Sequence, residues 1–146
     1  MNNLKKNWFS VFICIFLLLL SGVLIFKKYE KNLYIGEGLW ENYKVETIIL
    51  EEKQRQVVIA DNPKHWTKGL MFVRKPVQGF DGMIFKFPDK QPRLFWNQNT
   101  FVDLTIYWLA DGKILGKAKL PSIEETKEIV TVQSPEPADT VIEIIE

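Results

Sequence analysis

The sequence predicts a mainly β domain, an antiparallel β-sandwich or open barrel with one short helix, preceded by a single transmembrane helix. Three observations lead to this fold class. Seven or so short apolar runs alternate with turn signals, as in all-β domains. Only one stretch carries the start and stop signals of a helix. The N-terminal part contains an apolar segment of membrane-spanning length.

The apolar segment extends from Trp8 to Phe26, which is 19 residues without a charge. About 20 apolar residues cross the hydrocarbon region of a bilayer as a helix, so we assign residues 8–26 as a transmembrane anchor. A cleaved signal peptide is the alternative, but it normally ends its apolar stretch in small residues, whereas Val23–Phe26 precede the lysines here. Residues 27–43 mix charges, glycines and aromatics without a sustained period and are interpreted as a tether to a β domain at 44–146.

The single cysteine, Cys14, lies inside the predicted anchor. The domain that follows therefore has neither a disulfide framework nor a cysteine-based zinc site. Its stability must come from packing.

The first predicted elements of the domain are a hairpin and a helix. Val45–Leu50 and Gln56–Ala60 are β-branched runs separated by a charged stretch. Asn62 is a predicted N-cap, Pro63 occupies the first helical position, and Gly69 marks the end of the helix about two turns later.

Beyond Gly69 the apolar period is two. Met83, Phe85 and Phe87 share one face of a predicted strand. Asp111-Gly112 tolerates the positive φ of a tight turn and predicts a hairpin between two further runs. On its second arm Ile114, Gly116, Ala118 and Leu120 are expected to face one way, with Lys113, Leu115, Lys117 and Lys119 facing the other. The predicted strands at Ile129–Val132 and Val141–Ile145 flank Ser134–Pro137, where two prolines cannot donate to a ladder.

Charge is unevenly distributed along a chain of net charge +1. Residues 53–119 carry 12 Lys and Arg against 5 Asp and Glu, while residues 123–146 carry 1 Lys against 7 acids. Either the acidic end lies across the basic centre, or the basic centre meets an anionic partner such as lipid headgroups or an acidic polymer. We expect no nucleic-acid partner, because so small a net charge lacks the necessary electrostatic footprint.

The stretch RLFWNQNT, residues 93–100, places two aromatics beside four polar side chains that cannot ionise. This pattern is typical of a ligand cleft, and also of a strand that ends in a capped turn. We expect Phe95 to belong to the core, Trp96 to line the edge of a cleft, and Asn99-Thr100 to fix the turn. The candidate ligand-binding residues are Arg74, Phe95, Trp96, Asn99 and Asp103.

Catalytic chemistry has little support in the sequence. His65 is the only histidine and is expected to face solvent on the short helix, so a nucleophile–base pair or a metal site is improbable. A glycosidase needs two facing carboxylates, and Asp81 and Asp103 are the first candidates, although each also lies at a predicted turn or strand end. No catalytic residue, metal or cofactor is predicted.

Five motifs in order resemble the bacterial and archaeal domain-of-unknown-function family 192. The motifs are Ala60-Asp61, Gly69–Phe72 with Arg74, Gly82–Phe85 with Phe87, Phe95-Trp96 with Asn99-Thr100, and Pro137-Ala138 with Val141–Glu143. The resemblance runs from about Val45 to the end. It implies a jelly-roll-like β domain without an assigned activity, often exported or membrane-tethered.

The resemblance also implies an orientation, with residues 1–7 in the cytoplasm and the β domain outside it. This chain departs from the family at two places. It has Asn97-Gln98 where the family usually has Met-Lys, and Asp103–Thr105 where the family usually reads Pro-Leu-Asp. An ion pair or catalytic couple made by that lysine and aspartate would be missing here.

The leading functional hypothesis is a membrane-anchored, extracytoplasmic binding domain that recognises an envelope glycan or polymer. The first alternative is an envelope hydrolase that uses acidic residues. The second is a structural partner of another membrane protein, engaged through residues 8–26.

Overall fold

Eight strands and two short helices make up residues 42–74 and 79–146, the part of the chain that the computed structural model describes. The predicted cytoplasmic N-terminus at 1–7, the anchor at 8–26 and nearly all of the tether at 27–43 lie outside these residues. Within the described ranges, no helix is both long and apolar enough to cross a membrane.

The mainly β character predicted from the sequence is confirmed. In chain order the elements are β1 (Val45–Leu50), β2 (Lys53–Ala60), α1 (Pro63–Lys68), β3 (Gly82–Gln91), β4 (Leu94–Trp96), β5 (Leu104–Ala110), β6 (Lys113–Leu120), α2 (Ile123–Thr126), β7 (Thr131–Gln133) and β8 (Ala138–Ile145).

The main sheet has six strands in the order β1-β2-β3-β8-β5-β6, and β4 and β7 form a separate antiparallel pair. The sheet is mixed, because β2 and β3 run parallel, so the prediction of a purely antiparallel arrangement was wrong. The physical reason is the connection from Ala60 to Gly82. It contains α1 and exceeds the dozen or so residues that a parallel crossover needs.

The second helix, α2, was not predicted. Ser122 caps it by accepting a hydrogen bond from the Glu125 N–H, and Lys127 ends it in the left-handed region at φ 59°. Four residues are too few to show an apolar period, so only the cap could have indicated this helix.

The predicted helix α1 is confirmed with its caps. The Asn62 side chain accepts a hydrogen bond from the His65 N–H, and Gly69 ends the helix at φ 48° and ψ −142°, a conformation that favours glycine. This ending turns the chain back toward the sheet, where Leu70 is buried.

The predicted facing of β6 was partly wrong. Trp108 pairs with Gly116 but Leu109 pairs with Ile114, so one extra residue, Leu115, is inserted into β6. This bulge reverses the alternation: Leu115 packs against the core, and Ile114 is 49% exposed.

The strand β8 lies at the centre of the sheet, paired with β3 on one side and β5 on the other. Its side chains alternate between two buried clusters: Val141 belongs to the larger cluster, and Ile142 and Ile144 belong to the smaller one. Glu143 therefore projects toward the larger cluster, which also contains Phe85.

Both predicted hairpins are present, and each closes in a two-residue turn. Asp111 and Gly112 have φ of 50° and 73°, as a sequence of this type allows. The first turn has Glu51 at φ 47° and Glu52 at φ 64°, although glutamate has no preference for the left-handed region.

We expect Glu52→Gly to raise the free energy of unfolding by about 1 kcal/mol, because glycine adopts positive φ without the Cβ clash. Equilibrium denaturation of the purified chain measures the change. Glu52→Ala removes the same charge but keeps Cβ, so it should leave stability near that of the wild type. Equal effects of the two substitutions would contradict strain at this turn.

Candidate functional site

The side chains of β4 alternate between the core and the surface. The Phe95 ring meets the Phe85 ring edge-on at a centroid distance of 5.0 Å, whereas Leu94 and Trp96 are 62% and 48% exposed. Pairing with β7 fixes this alternation. An indole this exposed forms a surface against which a ligand can pack.

Trp96 contributes to an open cleft with a volume of about 450 Å³, which we call the aromatic cleft. The residues that line it come from α1, β3, β4 and the turn before β4, and they are Trp66, Thr67, Phe87, Pro92, Arg93, Leu94, Phe95 and Trp96. The cleft is of the size that small-molecule sites usually have.

The walls of the aromatic cleft are held in place by specific contacts. The Trp66 Nε1–H donates to the Ala60 carbonyl oxygen at 3.0 Å, and its ring lies 5.1 Å from the Phe87 ring. The Arg93 guanidinium lies 3.8 Å from the Phe87 ring centroid and donates to the Asp89 carboxylate at 2.7 Å. Arg93 is therefore a fixed cation at the rim rather than a freely moving side chain.

A second, smaller cavity with a volume of about 30 Å³ adjoins the aromatic cleft, and we call it the Glu143 cavity. Four residues line both spaces, namely Trp66, Thr67, Phe95 and Trp96. The remaining lining comes from residues 68–71, Phe85, Thr100 and Glu143. The pair of spaces thus combines aromatic walls with one acid.

Glu143 lies between Met83 of β3 and Ile106 of β5, both fully buried, and is itself only 4% exposed. The Leu70 backbone N–H donates a hydrogen bond to its carboxyl group. Among the described residues, Oε2 of Glu143 and Nε1 of Trp108 are the buried side-chain polar atoms without a hydrogen-bond partner. Burial raises the pKa of Glu143 to about 8, against the smaller opposing effect of the Leu70 hydrogen bond.

At the start of β3 the backbone of Glu143 leaves no room for a side chain on Gly82. A Cβ atom at Gly82 would lie 1.9 Å from the Glu143 carbonyl oxygen. Glycine at this position therefore permits the close approach of β3 and β8 that positions the acid.

Three of the five predicted site residues lie outside both spaces. Arg74 forms an ion pair with Glu124 at 2.9 Å, which joins the basic middle of the chain to its acidic C-terminal part. Asn99 occupies a turn at φ 56°. Asp103 accepts a hydrogen bond from the Ser122 N–H at 2.7 Å and lines a separate pocket. Only Phe95 and Trp96 of the predicted set meet at the aromatic cleft.

Asn97, one of the two residues that replace the usual Met-Lys, is completely buried. Its side-chain amide donates to the Pro121 carbonyl oxygen at 3.0 Å and to the Thr126 hydroxyl at 2.9 Å, and accepts from the Val130 N–H at 2.9 Å. Asn97 thereby ties the end of β4 to the segment around α2, a structural role.

The polar residues considered as catalytic candidates make structural contacts with other residues of the domain. Asp81 accepts a hydrogen bond from the Gln56 N–H at 2.7 Å. His65 was expected to face solvent, but its ring stacks on Tyr43 at 3.9 Å and its side chain is 20% exposed. The described residues contain no group of three metal-binding side chains.

Sequence reasoning missed Glu143 and Arg93 as site residues. Arg93 is the first residue of RLFWNQNT, but nothing in the sequence indicates that its guanidinium stacks on Phe87. Glu143 carried a usable signal, since it is the only acid within the run VIEII and so faces a buried side of its strand.

The fold and site together define a small mixed β domain with a ligand-sized aromatic cleft and one buried acid. The family model of DUF192, described as "Uncharacterized ACR", matches residues 46–146, and the chain belongs to that family. This finding confirms the resemblance seen in the sequence. No curated protein matches the chain.

Two solved structures are similar to this chain. One is a "putative transcription regulator" from Sinorhizobium meliloti 1021, with 26% identity and a TM-score of 0.54 over 70% of this chain and 79% of that chain. The other is a protein of unknown function from Novosphingobium aromaticivorans DSM 12444, with 21% identity and a TM-score of 0.56 over 70% and 73% of the two chains. The second likeness shows the fold alone.

The raised pKa of Glu143 predicts a pH dependence of stability. Below pH 4.5, its usual pKa, the carboxyl is protonated in both states; between 4.5 and about 8 the unfolded chain has lost a proton that the folded chain retains. Raising the pH through this window therefore increases the equilibrium constant for unfolding by up to tenfold per pH unit. The loss of stability ends above the pKa of Glu143 in the folded state.

The measurement is the free energy of unfolding of the wild type minus that of Glu143→Gln, from pH 4.5 to 9. Subtraction removes the contributions of groups common to both chains, including Lys68 in the cavity lining. A difference that does not change with pH would show that Glu143 titrates normally.

Proposed function

We propose that the protein is a membrane-anchored, extracytoplasmic binding domain whose aromatic cleft recognises a saccharide of the cell envelope. One observation carries the proposal: the half-exposed indole of Trp96 lines both a ligand-sized cleft and a smaller cavity whose lining includes the acid Glu143. Sugar rings pack their apolar faces on aromatic side chains while a few aimed polar groups hold their hydroxyls.

The anchor supports the envelope as the place of action. Residues 8–26 have the length and apolarity of a membrane-spanning helix, and two lysines follow them directly. The orientation with the domain outside the cytoplasm rests on the family resemblance.

The hydrolase alternative has weaker support from the geometry. Asp81 and Asp103 each accept a hydrogen bond from a backbone N–H, and neither lines the aromatic cleft or the Glu143 cavity. The third hypothesis, a structural partner engaged through the anchor, predicts that an unrelated spanning segment in place of residues 8–26 abolishes function. The binding proposal predicts tolerance of that exchange.

We expect Trp96→Ala to weaken saccharide binding at least tenfold, about 1.4 kcal/mol, because the stacking surface is lost. The test presents the purified full-length chain to a panel of neutral and anionic envelope polysaccharides and determines Kd for each that binds. Ile114→Ala is the matched control, since Ile114 is equally exposed but lies outside the cleft. The proposal fails if no polysaccharide binds, or if the two variants bind alike.

Localisation has a separate test. Lys113 lies beside an exposed turn, so Lys113→Cys introduces a reactive thiol into a domain that otherwise has none. We expect a membrane-impermeant maleimide to label this variant in intact spheroplasts, and a Cys14→Ser background removes the native thiol. Labelling that requires permeabilised cells would place the domain in the cytoplasm.

A further inference from the structure

The carboxyl group of Glu143 has one hydrogen bond from the protein and one buried oxygen, Oε2, without a partner. The Leu70 N–H donates to the group, Oε2 has no protein partner, and Glu143 is one of the residues that line the Glu143 cavity. Gly69 also lines this cavity, and a Cβ atom there would be in van der Waals contact with Oε2 at 3.8 Å and with the Phe85 ring at 3.6 Å. Buried polar atoms in folded proteins nearly always have a partner, so an unpaired carboxyl oxygen on a residue that lines a cavity indicates a site where a ligand supplies that partner.

We infer that Glu143 contacts the ligand directly, as a protonated acid that donates a hydrogen bond from Oε2 to an uncharged hydroxyl or carbonyl oxygen of a saccharide packed against Trp96. This inference rests on the proposed function. It adds that the site selects neutral sugars over cationic ones.

The size of the two spaces determines what part of the ligand reaches the acid. A cavity of about 30 Å³ admits one small substituent, whereas the adjoining cleft of about 450 Å³ accommodates a sugar ring. Since both spaces share Trp66 and Trp96, a ring in the cleft can direct a single oxygen-bearing group inward.

The surroundings of Glu143 favour its neutral form. Met83 and Phe85 face it from β3, Ile106 from β5, and Phe95 and Trp96 from β4, and none of these side chains ionises. Lys68 is the other titratable residue in the lining, and burial followed by repulsion from Lys64 lowers its pKa.

An acid kept protonated donates a hydrogen bond that a carboxylate cannot. Because burial raises the pKa of Glu143 to about 8, we expect the hydrogen bond to be present at neutral pH and lost above that value.

The experiment uses the full-length chain in detergent and two matched probes, the neutral N-acetylglucosamine tetramer and the cationic glucosamine tetramer. Titration calorimetry gives Kd from pH 6 to 9. We expect the neutral tetramer to bind at least tenfold more tightly than the cationic one, and its affinity to fall as the pH rises through about 8.

Two substitutions identify the group responsible. Glu143→Gln retains a donor and cannot ionise, so it should bind the neutral tetramer within about threefold of the wild type. Its binding should be independent of pH. Glu143→Leu removes the donor and should weaken binding at least tenfold. Circular dichroism confirms that each variant is folded, and Glu143→Gln still decides the question if Glu143→Leu does not fold.

Three results would overturn the inference. In the first, Trp96→Ala loses binding while both Glu143 variants retain it with the wild-type pH profile. The ligand would then pack on the indole without contacting the acid. The proposed function would still hold. In the second, the cationic tetramer binds more tightly and releases a proton. In the third, the neutral tetramer does not bind. This result overturns the inference about Glu143 alone, because the proposed function is tested separately with the polysaccharide panel.

Discussion

The pairing of β8 with both β3 and β5 is the interaction on which the rest of this domain depends. It joins β1, β2 and β3, which include the parallel pair, to the antiparallel hairpin of β5 and β6, and it supplies residues to both buried clusters. The same pairing seats Glu143 between two fully buried apolar side chains. Burying an acid at such a position lowers the stability of a domain that has no disulfide to offset the loss. Buried ionisable groups of this kind are concentrated at functional sites.

The aromatic cleft shows how polar contacts can fix an apolar surface. Arg93 stacks on Phe87 while its guanidinium donates to the side chain and backbone of Asp89, and its Nε–H donates to the Ala138 carbonyl oxygen. These bonds tie the start of β4 to the start of β8. The position of Trp96 relative to Glu143 is therefore set by hydrogen bonds as well as by packing, which limits the rearrangement needed for binding.

Local patterns predicted the local features well. The caps of α1, the turn at Asp111-Gly112 and the alternation through Met83 and Phe85 follow from residues that are neighbours in sequence. The parallel pairing of β2 with β3 and the bulge at Leu115 depend on which strands meet, and no local pattern encodes that. The candidate site shows the same difference between features set by neighbouring residues and features set by long-range contacts. Trp96 was predicted because RLFWNQNT places aromatics beside neutral polar side chains. Arg74 and Asp103 were also predicted, but long-range contacts place them elsewhere.

The central place of β8 also bears on how the chain acquires its structure. β3 and β5 precede β8 in the chain and meet only through it, so until β8 inserts between them each presents an unpaired edge with apolar side chains. Edges of that kind pair readily with other chains, and contacts between residues distant in sequence form slowly. The nascent domain therefore passes through a stage that favours aggregation, and holding chaperones would act most effectively before the last strand inserts.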